Sequence, residues 1–455
     1  MKTVHINNSW FLDSDLRIDA SFHLSDGVKT KRIIEKYCPY PTTTLAQESE
    51  QLYKGNIHKR VYVDSPENGY MFFTASDLFK SDVESNKFIS KKYSSYLKEL
   101  EIVRDWIFIT RSGTLGKVFL TTSDYEGKIG TDDLVRIKPN EDKVKLGVLY
   151  AFLSSKYGYG LITQSGYGGV VKHIEPHHVE TVKIPVFPEN LQGEINDLII
   201  SVSNLRVEAN QLLMEAVAYF ESIIGESKVH LDFQTGTINS SSLNSFHKRI
   251  DSQFQLLWKN LNAEKLDSIK YDYLSEFAKS IFVGGRGKRN YVEQGIPFLS
   301  SSEMMLFNPK RGCKNVSKNN PGLNSMIVNK KDILISRSGT VGNTVLVGSD
   351  LAGTAISEHA LRLVIDPAKI SPNYVFCFLK TKYGMKSMEA SSFGSVIITL
   401  NEDLIGNIKI PLLEKESQDR INELIESYLL KVDLATKNEN LAINLIEEEI
   451  ESWQK

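Results

Sequence analysis

Along one stretch of the chain the apolar residues Ile195, Leu198, Val202, Leu205, Ala209, Leu212, Ala216, Tyr219 and Ile223 recur at alternating steps of three and four. A seam of about four heptads predicts a long helix that packs lengthwise on another helix. A looser seam returns near the end of the sequence: Ile421, Ile425, Tyr428, Val432, Ala435, Ala442, Ile446 and Trp453, with polar Glu439 interrupting it. Both patterns outrun a typical helix of about 10–14 residues, and two such helices in one chain most simply pack on each other. Ordinary packing of each on its own domain is the alternative. Elsewhere the pattern shortens to runs such as "WIFIT", "KVFLTT", "DILIS" and "TVLVG", bounded by Gly, Ser and Asp. These predict strands joined by tight turns. Thr235–Ser245, "TGTINSSSLNS", is polar and aperiodic and reads as a linker.

The elements occur twice. "ITRSGTLGKVFLTTSD" (Ile109–Asp124) and "ISRSGTVGNTVLVGSD" (Ile335–Asp350) lie 226 residues apart and share nine of sixteen positions. At the same offset "GYMFFTASDL" (Gly69–Leu78) lies over "GIPFLSSSEM" (Gly295–Met304), Lys156-Tyr157-Gly158 over Lys382-Tyr383-Gly384, "VKIP" (Val182–Pro185) over "IKIP" (Ile408–Pro411), and Gln192 over Gln418. "RIDASF" (Arg17–Phe22) resembles "RIDSQF" (Arg249–Phe254) at a slightly different offset. A period this long is a duplication, not a solenoid. Each copy is a mixed, strand-rich region followed by one long helix.

Composition adds little until charge is divided along the chain. The net charge of −2 over 455 residues conceals −6 in Glu189–Glu226 and −6 in Glu414–Lys455, which leaves +10 on the remainder. Two basic bodies joined to acidic segments point to a polyanionic partner. The N-terminal stretch lacks the apolar core of a signal peptide and no run has the roughly 18–20 apolar residues that span a bilayer, so a soluble, cytoplasmic protein without membrane contact is expected. Cys38, Cys313 and Cys377 are far apart and lack companions at ligand spacing, so reduced thiols and no metal site are expected.

Arg-Ser-Gly-Thr, a hydrophobe and Gly stand between two strand-like runs in both copies, so the two glycines read as a hairpin needing positive φ or close backbone approach. A phosphate loop would need four residues between its first glycine and Gly-Lys-Ser/Thr, and Lys117 of one copy is Asn343 in the other. Nucleotide binding is therefore rejected there. Arg111 and Arg337 have two roles open: pairing with local carboxylates, for which Asp132 and Glu358 are the expected partners, or reaching a phosphate or guanine edge. Further DNA-binding candidates are Lys59 and Arg60 in "HKR", Arg286, Lys288 and Arg289 in "GGRGKRNY", and Tyr167, Lys172 and His173 in "QSGYGGVVKHI". Solvated surface turns are the bland reading of each loop, but recurrence in both halves favours DNA. "ASSFGSVIITL" (Ala390–Leu400) corresponds to the last of these segments. Adjacent His177 and His178 read as surface residues, since Asp403 and Leu404 replace them in the second copy. No Asn-Pro-Pro-aromatic methyltransfer motif, Walker loop, HExxH or nucleophile elbow is found, so no catalytic residue is assigned.

The order "RDWIFITRSGTLGKV", "KYG", "GYGGVVKHIEPHHVETVKIPVFPENLQGEI" and a long helix, repeated as "KDILISRSGTVGNT", "KYG", "FGSVIITLNEDLIGNIKIPLLEKESQDRI" and a helix, resembles the specificity subunits of type I restriction-modification systems over nearly the whole chain. The resemblance implies an α+β tandem duplication, each β-rich target-recognition domain followed by a long helix, with the helices packed as an antiparallel coiled coil. The expected divisions are recognition domains at 1–188 and 246–413, helices at 189–226 and 414–455, and a linker at 227–245. The implied partners are double-stranded DNA, two methyltransferase subunits and, in the full complex, restriction subunits. S-adenosylmethionine, magnesium and ATP would belong to those partners, with no cofactor in this chain. Two different readers on helices reaching roughly 50 Å would recognise a bipartite target. A related type IIB-like subunit, an enzyme with unrecognised motifs, and a scaffold that does not touch DNA remain the alternatives.

Overall fold

The computed structural model describes residues 20–94, 97–164, 173–225, 266–394 and 398–454. The expected linker and "RIDSQF" fall outside them. The chain divides into two compact units, Met1–Val207 with Leu434–Lys455, and Glu208–Asp433. Each long helix therefore contributes to both units.

In the first unit, four antiparallel strands lie in the order Ser49–Lys54, Leu134–Pro139, Ile107–Thr110, Val118–Leu120. A second sheet has the order Tyr62–Val63, Phe88–Ser90, Gly69–Phe73, Ile129–Gly130, and only its last pair is parallel. Thr42–Thr44 pairs with Lys183–Pro185. The second unit repeats this order with Ala278–Val283, Ala360–Ile365, Ile333–Ser336 and Thr344–Leu346; then Tyr291–Val292, Lys314–Val316, Ile296–Leu299 and Ala355–Ile356; then Tyr271–Tyr273 against Lys409–Pro411. Even the irregularity near the start of the outer strand recurs, between Ser49 and Gln51 and between Ala278 and Ser280. The duplication read from the sequence is a duplication of register.

The apolar run Leu146–Ser154 forms a helix buried on nearly every face, and Lys156–Gln164 turns back from it. Pro372–Lys380 and Lys382–Ser391 are their counterparts. The recurring Lys-Tyr-Gly marks these sharp turns. A Cβ on Gly158 would lie 2.1 Å from the Phe152 carbonyl oxygen, and one on Gly384 2.2 Å from that of Phe378. Only glycine lets the second helix approach the first so closely.

The long helices span Glu189–Ile224 and Lys415–Ser452. Each starts with the same fold-back: Gln192 Nε2 donates to the Phe187 carbonyl at 2.6 Å and Gln418 Nε2 to that of Leu413 at 2.8 Å. Within the second unit Glu208 pairs with Lys431, Glu215 with Arg420 and Tyr219 with Ser417, so partner numbers fall as the first helix advances. The packing is antiparallel. One detail of the expected seam shifts. Leu198, Leu205, Leu212 and Tyr219 are half-buried and Ile223 is exposed, whereas Ile199, Leu213, Phe220 and Ile224 are buried. The helix packs on a β-rich body as well as on its sister, so the buried stripe is rotated from a pure two-helix seam.

Each strand-rich region is clasped by the far end of the other copy's helix. Glu447 accepts from the Lys156 backbone N–H at 2.8 Å in the first unit, and Glu221 accepts from that of Lys382 at 2.6 Å in the second. Ala442, Ile443, Ile446 and Ile450 join Leu149, Phe152 and Phe187 in one core. Ala216, Phe220 and Ile224 join Tyr374, Phe378 and Ile425 in the other.

Candidate nucleic-acid interface

Ile107–Thr110 pairs with Val118–Leu120, and Ile333–Ser336 with Thr344–Leu346, so the repeated phrase is a hairpin in both units. Its glycines take positive φ as expected: 67° and 77° at Gly113 and Gly116, 82° and 90° at Gly339 and Gly342. Gly116 and Gly342 close the turn by donating to the Thr110 and Ser336 carbonyls at 2.9 and 3.1 Å.

The expected partners of the hairpin arginines are corrected by the geometry. Arg111 is 7 % exposed; its Nε donates to the Ile174 carbonyl at 2.9 Å, and its guanidinium pairs with Glu175 and, at 3.4 Å, with Asp133. Asp133 also accepts from the Ser112 hydroxyl, and Glu175 holds Lys54 at 2.8 Å. Burial works to raise the Glu175 carboxyl, but the bonds from Lys54 and Arg111 outweigh it and hold it below the usual carboxylate range. Arg337 is half-buried and donates from Nε to the Leu400 carbonyl at 3.2 Å. Asp132 and Glu358 instead face the loop arginines: Arg60 pairs with Asp132 and Arg289 with Glu358. Spacing alone misassigned them because neighbouring residues at a strand end face different directions.

Those loop arginines form matching constructions. Arg60 stacks 5.2 Å from the Phe72 ring centroid and Arg289 4.7 Å from that of Phe298, so a planar cation lies between an aromatic face and a carboxylate. Both loops begin at a buried glycine, Gly55 or Gly284. In the first, Glu99 fastens the loop, accepting from the Asn56 backbone N–H at 3.0 Å and pairing with His58 at 3.1 Å. In the second, Ser325 Oγ accepts from the Gly285 N–H at 3.2 Å. Lys59, Arg286 and Lys288 are exposed. His173 is half-buried, and Tyr167 and Lys172 lie outside the described residues. His178 fastens the start of a short helix, where its Nδ1 accepts from the Glu175 N–H at 2.9 Å, while burial and then His177 lower its proton affinity.

Sequence reasoning missed a second pair of arginines, Arg136 and Arg362, placed centrally in apolar strands. Arg136 is fully buried and donates to the carbonyls of Glu101, Leu100, Gly130 and Thr131 at 3.1–3.2 Å. Arg362 donates to those of Ile327 and Met326 at 2.6 and 2.7 Å. An arginine inside "LVRIKP" that returns as "ALRLVI" at the common offset was the available signal. Arg136 ties its strand to the second sheet at Gly130, and Arg362 ties its strand to the end of the short helix Leu323–Met326.

Duplicated strand-rich modules, each presenting a basic loop and sharing two long helices, define a tandem recognition protein. Residues 54–216 and 284–445 match the family described as "Type I restriction modification DNA specificity domain". The type I restriction enzyme MjaVIII specificity subunit of Methanocaldococcus jannaschii is 21 % identical over 379 residues, covering 81 % of each chain. Among solved structures, the type I S subunit from M. genitalium is 17 % identical, with coverage of 91 % of this chain and 96 % of that one and a TM-score of 0.36. For the HsdS subunit of Thermoanaerobacter tengcongensis the values are 14 %, 90 %, 96 % and 0.29. The chain belongs to the type I restriction-modification DNA specificity family and is a non-catalytic specificity subunit. No helix among the described residues is long and apolar enough to cross a membrane.

Proposed function

We propose that this subunit reads a bipartite, asymmetric DNA target, one half with residues 1–188 and the other with 246–413. It assembles in the cytoplasm with two methyltransferase subunits and, in the full complex, with restriction subunits. S-adenosylmethionine, magnesium and ATP are bound by those partners. The observation that carries this reading is the loop at Gly55–Arg60 and Gly284–Arg289: the same buried glycine and the same stacked arginine frame Ile57 and His58 in one copy but Arg286 and Gly287 in the other. An equal scaffold with unequal exposed side chains recognises unequal sequences, since phosphate contacts position a protein and base contacts specify its site.

Mapping methylated adenines in the host genome with and without this gene tests the proposal. The expected result is loss of a two-part motif with unspecified bases between its halves. Unchanged methylation, or loss of an uninterrupted motif, would overturn it.

A further inference from the structure

The two copies of the hairpin place an arginine in the same backbone frame but surround it differently. Arg111 N–H donates to the Asp133 carbonyl and Ile174 N–H to that of Arg111; Arg337 N–H donates to the His359 carbonyl and Leu400 N–H to that of Arg337. The side-chain Nε bond to Ile174 or Leu400 is also retained. The acids are not. His359 stands where the first copy has Asp133, and Asn401 where it has Glu175. Strand pairing likewise puts Val283, against Leu361, where Lys54 pairs with Val135.

The local charges therefore differ. In the first unit Arg111 and Lys54 are balanced by Glu175 and Asp133. In the second, among the described residues, the Arg337 side chain makes only its bond to Leu400 and forms no ion pair. Glu358 comes within 3.9 Å of His359 Nε2, but its other oxygen holds Arg289, so that pair is balanced without Arg337. Asn401 is occupied as well, accepting from the Leu404 N–H at 2.8 Å at a helix start. A partly buried guanidinium with no counter-charge is costly, and the cost is recovered when an external anion completes it.

The surroundings admit such an anion. His359, whose carbonyl accepts from the Arg337 N–H, is 55 % exposed, and its Nδ1 lies 3.1 Å from the hydroxyl of Ser338, the next residue after Arg337. Gly339 at the tip is exposed, and a Cβ there would meet nothing within 4 Å, so the loop leaves room for a ligand backbone. We propose that Arg337, with Ser338 and His359, binds a phosphate of the DNA backbone in the second module, at a position where the first module has turned the same arginine into an internal strut. This rests on the DNA-binding reading above and adds a specific contact to it. Arg111 makes no such contact.

Binding of the full-length chain to a random-sequence DNA duplex, measured across a salt series, tests the assignment. Each phosphate contact contributes about 0.9 to the slope of log K against log salt. Arg337→Gln should lower the slope by about that amount and Arg337→Lys should retain it, because a lysine still meets a phosphate as a point charge. Arg111→Gln should leave the slope unchanged while lowering the unfolding temperature. A second variant, His359→Asp with Asn401→Glu, installs the first copy's acids and should lose the same slope with Arg337 in place. If the wild-type chain binds with a steep slope and both Arg337→Gln and the acid graft match it, the phosphate site is overturned and DNA binding stands. If the wild-type chain shows no salt-dependent binding, the DNA reading is overturned and this site with it.

Discussion

Arg206 of the first long helix lies 2.9 Å from Glu439 of the second, and Glu439 is 1 % exposed. The Tyr150 hydroxyl donates to the same carboxylate at 2.5 Å. At the corresponding places of the second unit stand Val432, Leu213 and Phe376, a wholly apolar set. The residue that interrupts the second apolar seam is thus an internal polar junction in one unit with an apolar equivalent in the other.

Removing one member of this junction strands the other. Glu439→Leu or Arg206→Val alone should destabilise the first unit by about 3–5 kcal/mol, whereas the double change with Tyr150→Phe, copying the second unit, should recover most of that loss. Urea unfolding of the three variants measures it. A triple variant no better than either single change would show that the polar junction is not interchangeable with its apolar counterpart.

The inner arginines should behave alike in both units. Arg136→Met leaves four carbonyl oxygens without their donor, and a loss on the order of 3 kcal/mol is expected. Arg362→Met strands two carbonyls and also leaves buried Asp332, 3.8 Å from its Nε, without its counter-charge, so a loss of similar order is expected. Thermal unfolding in which either variant matches the wild type would contradict the assignment.

Asp77 predicts an acid-sensitive step. Burial opposes its charge, but Lys80, Thr74 and Lys87 outweigh burial and bring its carboxyl down to about 2 from an ordinary 3.8. A folded value below the unfolded one gives stability that is full above the ordinary value and is lost as pH falls from there towards about 2. With the lysines part-exposed, about 1–2 kcal/mol is expected after solvent screening. Asp77→Asn should remove this part of the pH dependence, read as a flatter unfolding midpoint between pH ~4 and ~2.

Gly158→Ala and Gly384→Ala each drive a methyl group against a backbone carbonyl, so each should cost at least about 1–3 kcal/mol. Gly113→Ala meets open space and should show only the strain of its positive φ, about 1–2 kcal/mol. Comparing the three midpoints separates close packing from backbone conformation.

The exposed second loop is suited to a charge test that spares the fold. Arg286→Gln with Lys288→Gln should reduce the salt slope of duplex binding by up to about 1.8 and leave the unfolding free energy within ~0.5 kcal/mol of wild type. Arg289 is left in place, because it serves Glu358 and the Phe298 ring.

Periodicity and repetition sufficed for the two long helices, the twofold module and the hairpin with its glycines, because these depend on residues close in sequence or on a copied pattern. "Lys-Tyr-Gly" was visible as a repeat but not as a close helix crossing, since the atom that forbids a side chain belongs to a different helix. The hairpin arginines were visible too. Which carboxylates Arg111 meets, and that Arg337 pairs with none among the described residues, was not, because Glu175 and Asp133 reach Arg111 from 64 and 22 residues away along separate strands and turns. Arg136 and Arg362 were hidden by their strands, as a buried cation is tolerated only where carbonyls converge from elsewhere. Sequence alone determined that there are two modules and two helices. Tertiary structure decided that each module is completed by the other copy's helix, through Glu447 at Lys156 and Glu221 at Lys382. That exchange follows from antiparallel pairing, which carries the end of each helix to the other copy's module, and a local pattern of apolar residues does not encode it.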